Sequence, residues 1–219
     1  MKKISFLAFI LISSTALFAQ NEKTTTPATR FGIKAGVNMS KLRPNDVPSG
    51  TEISTNMKTS FGGGFFVNIP LGTGGLAFQP EVLFNGQGSK LNMTTTVIGV
   101  SSNVKYEQDL RYLSVPMMFQ FKSTSGFYGE LGPQISYLLD ARQDGPGDEN
   151  IENEKNFEKF EFSGGAGIGY VSNMGLGIGA RYNHGFTNVL DNESNSGSNN
   201  LSMKHSVIQI GLFYQLGGK

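Results

Sequence analysis

The sequence predicts an all-β fold: an eight-stranded antiparallel up-and-down barrel that crosses a membrane. Three observations carry this. Apolar residues alternate at period two with glycine and polar residues along eight segments. The connections between those segments alternate short and long, and no helical stripe competes past residue 20. Composition agrees with such a wall. The chain has 29 glycines in 219 residues, roughly twice the usual share, together with 17 phenylalanines. Cysteine is absent, which excludes a disulfide scaffold, a thiolate zinc site, a cysteine nucleophile and a lipid-modified N-terminal cysteine. A formal net charge of +1 lacks the basic excess of a dedicated nucleic-acid binder, so no nucleic-acid partner is expected.

Residues 1–19 read as a secretory signal peptide. Met1-Lys2-Lys3 is basic, Ile4 to Phe18 is almost unbroken apolar, and Leu17-Phe18-Ala19 offers a cleavage site before Gln20. The run is too short and wrongly flanked for a good membrane anchor, the alternative reading. Residues 20–30 are polar, threonine-rich and contain Pro27, a short linker that leaves 31–219 as the barrel domain. Later apolar runs, such as Val115-Pro116-Met117-Met118-Phe119, are far below the ~20 residues a spanning helix needs. A mature chain that enters lipid must therefore do so as a closed barrel, because open sheet edges are not tolerated there.

The segments follow in order. Phe31–Lys41 puts Phe31, Ile33, Ala35, Val37 and Met39 in one phase, against Gly32, Lys34, Gly36, Asn38 and Ser40. Lys58–Ile69 sets Phe61, Phe65, Val67 and Ile69 against Gly62, Gly64 and Asn68. Gly75–Gly88 sets Leu76, Phe78, Val82 and Phe84 against Gln79, Glu81 and Asn85. Tyr106–Phe121 sets Leu113, Val115, Met117, Phe119 and Phe121 against Tyr112, Ser114 and Gln120. Gly126–Leu139 sets Phe127, Leu131, Ile135 and Tyr137 against Glu130, Gly132, Gln134 and Ser136. Phe157–Val171 sets Phe160, Phe162, Ala166, Ile168 and Tyr170 against Glu161, Ser163, Gly165, Gly167 and Gly169. Gly175–Phe186 sets Leu176, Ile178, Ala180 and Tyr182 against Gly177, Gly179, Arg181 and Asn183. Lys204–Leu216 sets Ile208, Ile210, Leu212, Tyr214 and Leu216 against Gln209, Gly211 and Gln215.

Pro70–Gly74, Lys122–Ser125 and Ser172–Met174 are tight turns, whereas 42–57, 89–105, 140–156 and 187–203 are long and polar. Short periplasmic turns with longer external loops are the organisation of an outer-membrane barrel. A soluble sandwich or barrel also alternates, so the composition of each phase must decide. A water-facing phase normally carries Lys, Glu and Thr; here it is dominated by glycine, which suits the crowded interior of a narrow barrel. Aromatics mark both ends of the apolar phase. Phe31, Phe127, Tyr170 and Tyr214 lie beside the short turns, and Phe61, Phe84, Tyr137, Phe160 and Tyr182 lie toward the long loops. Two girdles are what a lipid-facing belt requires.

Several stretches carry a resemblance. Phe31-Gly32-Ile33-Lys34-Ala35-Gly36-Val37-Asn38-Met39-Ser40 resembles the opening strand of the outer-membrane β-barrel proteins of Bacteroidetes, the PorT-like or porin family. Pro80-Glu81 with Gly86 and Gly88, Leu110-Arg111-Tyr112-Leu113-Ser114-Val115-Pro116, and Leu131-Gly132-Pro133-Gln134-Ile135-Ser136 resemble that family's middle strands. The resemblance runs from about residue 31 to 216 and implies an OmpA/OmpX-like architecture in a Gram-negative outer membrane. The last strand resembles the assembly signal of bacterial barrels through Gln209, Gly211, Tyr214 and Leu216, which implies the barrel-assembly machinery as a partner during insertion. It departs from the pattern by ending in leucine and by a Gly217-Gly218-Lys219 tail.

Five charges fall in the inward phase: Lys34, Glu81, Glu130, Glu161 and Arg181; counted from the short-turn end, Lys34, Glu81, Glu130 and Arg181 lie four to seven residues in, at similar depth. Charges in a narrow lumen must be paired, so they read as a lumen charge network; a thin polar conduit is the alternative, disfavoured by the small cross-section. Catalysis finds little support. His184 and His205 lie near the loop end, and neighbouring His205 and Ser206 point to opposite faces of a strand. His184 with Asp191 or Ser206 stays geometrically open, although interfacial polar residues are the simpler reading of both histidines. Two histidines without ligand spacing give no metal site. Gly62–Gly64 and Gly164–Gly169 do not precede a helix and are not phosphate loops. No cofactor is expected.

Among the loops, 140–156 is acidic through Asp140, Asp144, Asp148, Glu149, Glu152 and Glu154, and reads as a solvated loop; Asp191–Asn200 misses the EF-hand spacing. Lys41, Arg43, Lys58, Lys90 and Lys105 cluster at external strand ends, where they would meet lipopolysaccharide phosphates. The expected protein is a monomeric, non-enzymatic outer-membrane barrel with a structural, surface-interaction or envelope-homeostasis role. A narrow diffusion pore, a secretion-system accessory and a rim-site lipid-modifying enzyme are the alternatives.

Overall fold

The structure, a computed structural model, describes residues 28–45, 51–97, 100–145, 148–152, 157–190 and 202–216. The signal peptide, most of the linker, Asp191–Asn200 and the Gly217–Lys219 tail lie outside the described residues. The strands are β1 (Arg30–Asn45), β2 (Thr51–Pro70), β3 (Leu76–Val97), β4 (Val100–Lys122), β5 (Phe127–Gly145), β6 (Asp148–Glu152), β7 (Phe160–Val171), β8 (Leu176–Gly185) and β9 (Ser202–Leu216). Eight of them form a ring in the order β4-β3-β2-β1-β9-β8-β7-β5, closed by β4 on β5, while β6 only folds back on β5. Every pairing is antiparallel. First and last strands meet from Phe31↔Leu216 to Asn45↔Ser202, so the ring leaves no free edge in the wall.

The three tight turns sit where expected. Gly126 donates to the Ser123 carbonyl at 3.1 Å and Gly175 to that of Ser172 at 2.9 Å. Each ends its turn at positive φ (94° and 86°), which a side chain rarely adopts and glycine does freely. At the other end the strands run further than the alternation suggested. β3 and β4 remain paired to Val97↔Val100, within the stretch read as a loop over 89–105. β2 starts at Thr51, and β5 continues to Gly145 with β6 beside it. Beyond the apolar belt period-two hydropathy fades in the sequence, while backbone pairing continues and β-branched residues such as Thr94, Thr95 and Thr96 persist.

Side chains alternate as a barrel wall demands. Phe61 (77 % exposed) and Ile168 (71 %) face outward, whereas Glu81 (1 %) faces in. On the outside, Phe127 packs on Tyr170 at 5.1 Å near the short turns and Tyr137 on Phe160 at 5.2 Å toward the other end. The interior is less glycine-dominated than the sequence suggested. Phe66, Tyr128 and Phe213 form an aromatic layer inside the short-turn end, with Phe66 and Phe213 edge-on at 5.8 Å. Their rings lie over Gly32, Gly169 and Gly177, where any Cβ would collide with them. At the opposite end, Leu42, Leu110, Tyr112, Leu138, Val189 and Met203 belong to an apolar layer. The polar middle lies between the two.

Ile210 lies on the outer face midway between Tyr214 and the polar end of β9. Ile210→Arg should cost about 2–4 kcal/mol if that face meets hydrocarbon, with Ile210→Leu near neutral. Urea unfolding of the protein in lipid vesicles measures both.

Candidate functional site

Strand alternation aims Lys34 of β1, Glu81 of β3, Glu130 of β5 and Arg181 of β8 at one point of the lumen. Arg181 grips Glu81 with both terminal nitrogens, Nη2 to Oε1 at 2.8 Å and Nη1 to Oε2 at 3.0 Å. Its Nε donates to Glu130 Oε1 at 2.7 Å. Lys34 Nζ donates to Glu81 Oε1 at 2.8 Å and stands 5.8 Å from the Phe66 ring centre. Two cations thus face two carboxylates in a buried site, and the bidentate fork suits arginine's planar geometry.

Amides finish the satisfaction of these charges. Gln79 donates to Glu81 Oε1 at 2.8 Å and Gln120 to Glu130 Oε2 at 2.9 Å. Asn68 donates to the side-chain oxygens of both Gln79 and Gln120 at 2.9 Å, and accepts from Lys122 Nζ at 2.8 Å. The chain of contacts therefore reaches six strands. Above it, Asn38 bonds Asn85 at 3.3 Å, Ser114 meets Ser136 at 3.0 Å, and Ser40 bonds the backbone of Gly88. A cavity of about 40 Å³ remains beside Lys34, Asn38, Asn85, Glu130 and Arg181. That is room for a small number of water molecules.

Glu161 stands apart from this group. It faces the lumen nearer the long-loop end and pairs with His205 Nδ1 at 2.8 Å. His205 is 1 % exposed, with its ring edge-on to Tyr112 at 5.7 Å. The expectation of an interfacial His205 is thereby corrected: it shares the inward phase of Met203 and Val207, both buried. His184 does lie on the outer face. Its ring nitrogens are 3.2 and 3.3 Å from Arg43 Nη2, a donor, and 3.4 Å (Nδ1) from the Tyr182 hydroxyl. Ser206 donates its hydroxyl to Tyr182 at 3.0 Å rather than to His184. Ser206 and His184 are therefore not joined as a nucleophile and its base would be. Asp191 lies outside the described residues. Among the described residues no three His, Asp or Glu side chains gather as a metal site would require.

The external basic residues do not form one cluster. Lys58 is out of phase with Phe61, turns inward, and pairs with Glu107 at 2.9 Å and Asp109 at 2.5 Å. The Lys58 hydrogen bond holds the Glu107 carboxyl below its usual range. Lys90 lies 3.6 Å from the same Glu107. Asp140 of the acidic stretch is met by Arg142 at 3.2 Å and Arg111 at 3.5 Å; Glu154 lies outside the described residues. Gln209, Gly211, Tyr214 and Leu216 all fall on β9, with Tyr214 and Leu216 on its outer face.

Arg181→Met leaves Glu81 and Glu130 buried without their main cation, and should cost about 3–5 kcal/mol. The triple change Arg181→Met, Glu81→Gln, Glu130→Gln should recover most of that loss. Denaturant unfolding in detergent micelles compares the two.

The model of the family described as outer membrane protein beta-barrel domain matches residues 18–191. Comparison with curated proteins finds no match. Among solved structures, the chain is similar to the outer membrane protein OprG of Pseudomonas aeruginosa, at TM-score 0.50 and 14 % identity, over 88 % of this chain and 98 % of that one. Neisserial surface protein A follows at 0.48 and 12 %, over 86 % and 99 %. The attachment invasion locus protein Ail of Yersinia pestis gives 0.47 and 14 %, also over 86 % and 99 %. At 14 % identity the likeness to OprG speaks for the fold alone. With the family matched over most of its length and an eight-stranded closed ring, this chain belongs to the outer-membrane proteins built on that β-barrel domain.

Proposed function

We propose that the protein is a non-enzymatic outer-membrane barrel whose lumen is sealed and whose work is done by the parts outside the membrane. The observation that carries this is the Lys34–Glu81–Arg181–Glu130 group, which spans the lumen with a cavity of about 40 Å³ beside it. An eight-stranded wall encloses room for side chains or one small ligand, and here side chains use it. The aromatic layer of Phe66, Tyr128 and Phe213 below and the apolar layer around Leu110 and Tyr112 above add two further barriers. A structural, surface-interaction or envelope-homeostasis role follows, served by the hairpins that continue beyond the belt. The narrow pore and the secretion-system accessory are the competing readings, favoured by a polar rather than apolar mid-lumen.

The finer affiliation proposed is the PorT-like subfamily of Bacteroidetes, on the strength of the motifs along β1, β3, β4 and β5. Export through a cleaved signal peptide over 1–19, a monomeric state, and contact with outer-membrane lipid and lipopolysaccharide belong to the same proposal. So does handling by the barrel-assembly machinery through Gln209, Gly211, Tyr214 and Leu216.

Two measurements test the reading. The purified protein in planar bilayers should show no stable large conductance steps; reproducible large channels would end the sealed-lumen proposal. Tyr214→Ala with Leu216→Ala should lower the heat-modifiable, folded fraction in cells several-fold while refolding into detergent in vitro stays near wild type. Equal folded fractions in cells would remove the assembly role from β9.

A further inference from the structure

On β1, β9 and β8, one patch of the outer wall gathers positive charge that no carboxylate among the described residues neutralises. Ser40 and Leu42 are fully buried, so Lys41 and Arg43 between them face outward. Met203, His205 and Val207 are buried, which turns Lys204 and Ser206 to the same side; buried Asn183 does the same for His184. The register sets these residues in adjacent rows. Lys41 lies opposite Ser206 and Ser206 opposite His184, while Arg43 lies opposite Lys204. Arg43 bends toward β8, where Nη2 approaches His184 and donates to the His205 carbonyl at 3.3 Å. Its Nε is buried and has no hydrogen-bond partner. Among the described residues no carboxylate pairs with Lys41, Arg43 or Lys204, in contrast to Lys58 and Lys90, which share Glu107.

Height on the wall identifies the ligand. Directly below the patch, in the same outward phase, come Met39, Ile208 and Tyr182, then Val37, Ile210 and Ala180. From Phe31 to Lys41 the strand climbs about ten residues at ~3.3 Å each, tilted ~40°, or roughly 25 Å, the height of the apolar band of such barrels. Lys41, Arg43, His184 and Lys204 therefore stand at the level of outer-leaflet headgroups, against the side of the barrel rather than on top of it. Tyr182 and Phe186 flank the patch, rings suited to the headgroup boundary.

We infer that Lys41, Arg43 and Lys204, with His184 and Ser206 between them, bind the phosphate of an outer-leaflet lipid whose acyl chains lie along Val37, Met39, Ile208 and Ile210. The inference specifies the lipid contact proposed above, moves it to one face, and removes Lys58, Lys90 and Lys105 from it, the last exposed on the β3–β4 ribbon away from this face. It does not depend on a sealed lumen, because conductance and lipid binding are read separately.

The test uses the full-length protein in detergent, titrated with diphosphoryl lipid A and followed by native mass spectrometry. Wild type should bind it at least tenfold more tightly than dephosphorylated lipid A, with affinity falling as salt rises. The variant K41E/R43E/K204E, shown folded by heat-modifiable mobility, should lose at least tenfold, while K105E on β4 stays within twofold. Equal binding of the dephosphorylated lipid by wild type overturns the inference without any variant. So does a triple variant that binds like wild type, inorganic phosphate that binds as tightly as the lipid, or a soluble sulfated polysaccharide that is preferred to it.

Discussion

Arg181 has to satisfy two carboxylates at once, and much of the interior is arranged around that requirement. An eight-stranded wall is too narrow to hydrate a charge freely and too wide to be filled by glycine alone. One guanidinium joins Glu81 of β3 to Glu130 of β5 from its own position on β8. Lys34 balances the remaining charge from β1. The amides of Asn68, Gln79 and Gln120 bring β2 and β4 into the same set of contacts. Strands far apart in the ring are thereby tied across the lumen as well as around it. A ring of pairwise backbone ladders would otherwise be free to shear or flatten.

The same crowding explains where glycine and large rings sit. Phe66, Tyr128 and Phe213 fit inside the wall because Gly32, Gly169 and Gly177 lie beneath them. High glycine and high phenylalanine are therefore linked twice. Among the described residues most phenylalanines cover the outside, where lipid receives them; Phe66 and Phe213 enter the lumen where glycine makes the space, and Phe157 is buried in the apolar layer at the other end. The inner aromatics narrow the short-turn end, and the layer around Leu110 and Tyr112 narrows the other. The polar centre is sheltered from water at both ends, which strengthens its ion pairs and raises the cost of leaving one unpaired.

Alternation made the fold legible because lipid outside and crowding inside impose opposite chemistry on successive residues. Counting from the short turns also brings Lys34, Glu81, Glu130 and Arg181 to similar depth. That count separates Glu161, which sits at the far end of its strand, but it does not reveal His205, a residue type equally at home in a headgroup layer. Lys58 turns inward, as its phase opposite to that of Phe61 marks it, although its charge at a strand end suggests the external surface. Phe66, Tyr128 and Phe213 were passed over because an inner phase read for polarity hides its aromatics. Strand ends beyond the belt were invisible for a different reason: pairing continues there after the hydropathy contrast has ended.

That continued pairing changes what the outer surface offers. Between Lys90 and Val97 the β3–β4 hairpin carries about seven further rungs, a ribbon on the order of 20 Å. β3 remains covered by β2 as far as Thr51↔Thr95, whereas the β4–β5 ladder stops at Glu107↔Asp144. From Val100 to Tyr106, β4 therefore keeps one side of its backbone open to water, among the described residues. The sheet is edgeless where hydrocarbon bathes it and regains an edge only where solvent can satisfy it. Stiffness and reach outside the membrane are thus uncoupled from the cost of crossing it: the ribbon can lengthen, shorten or change sequence between Val97 and Val100 without touching a single contact in the wall.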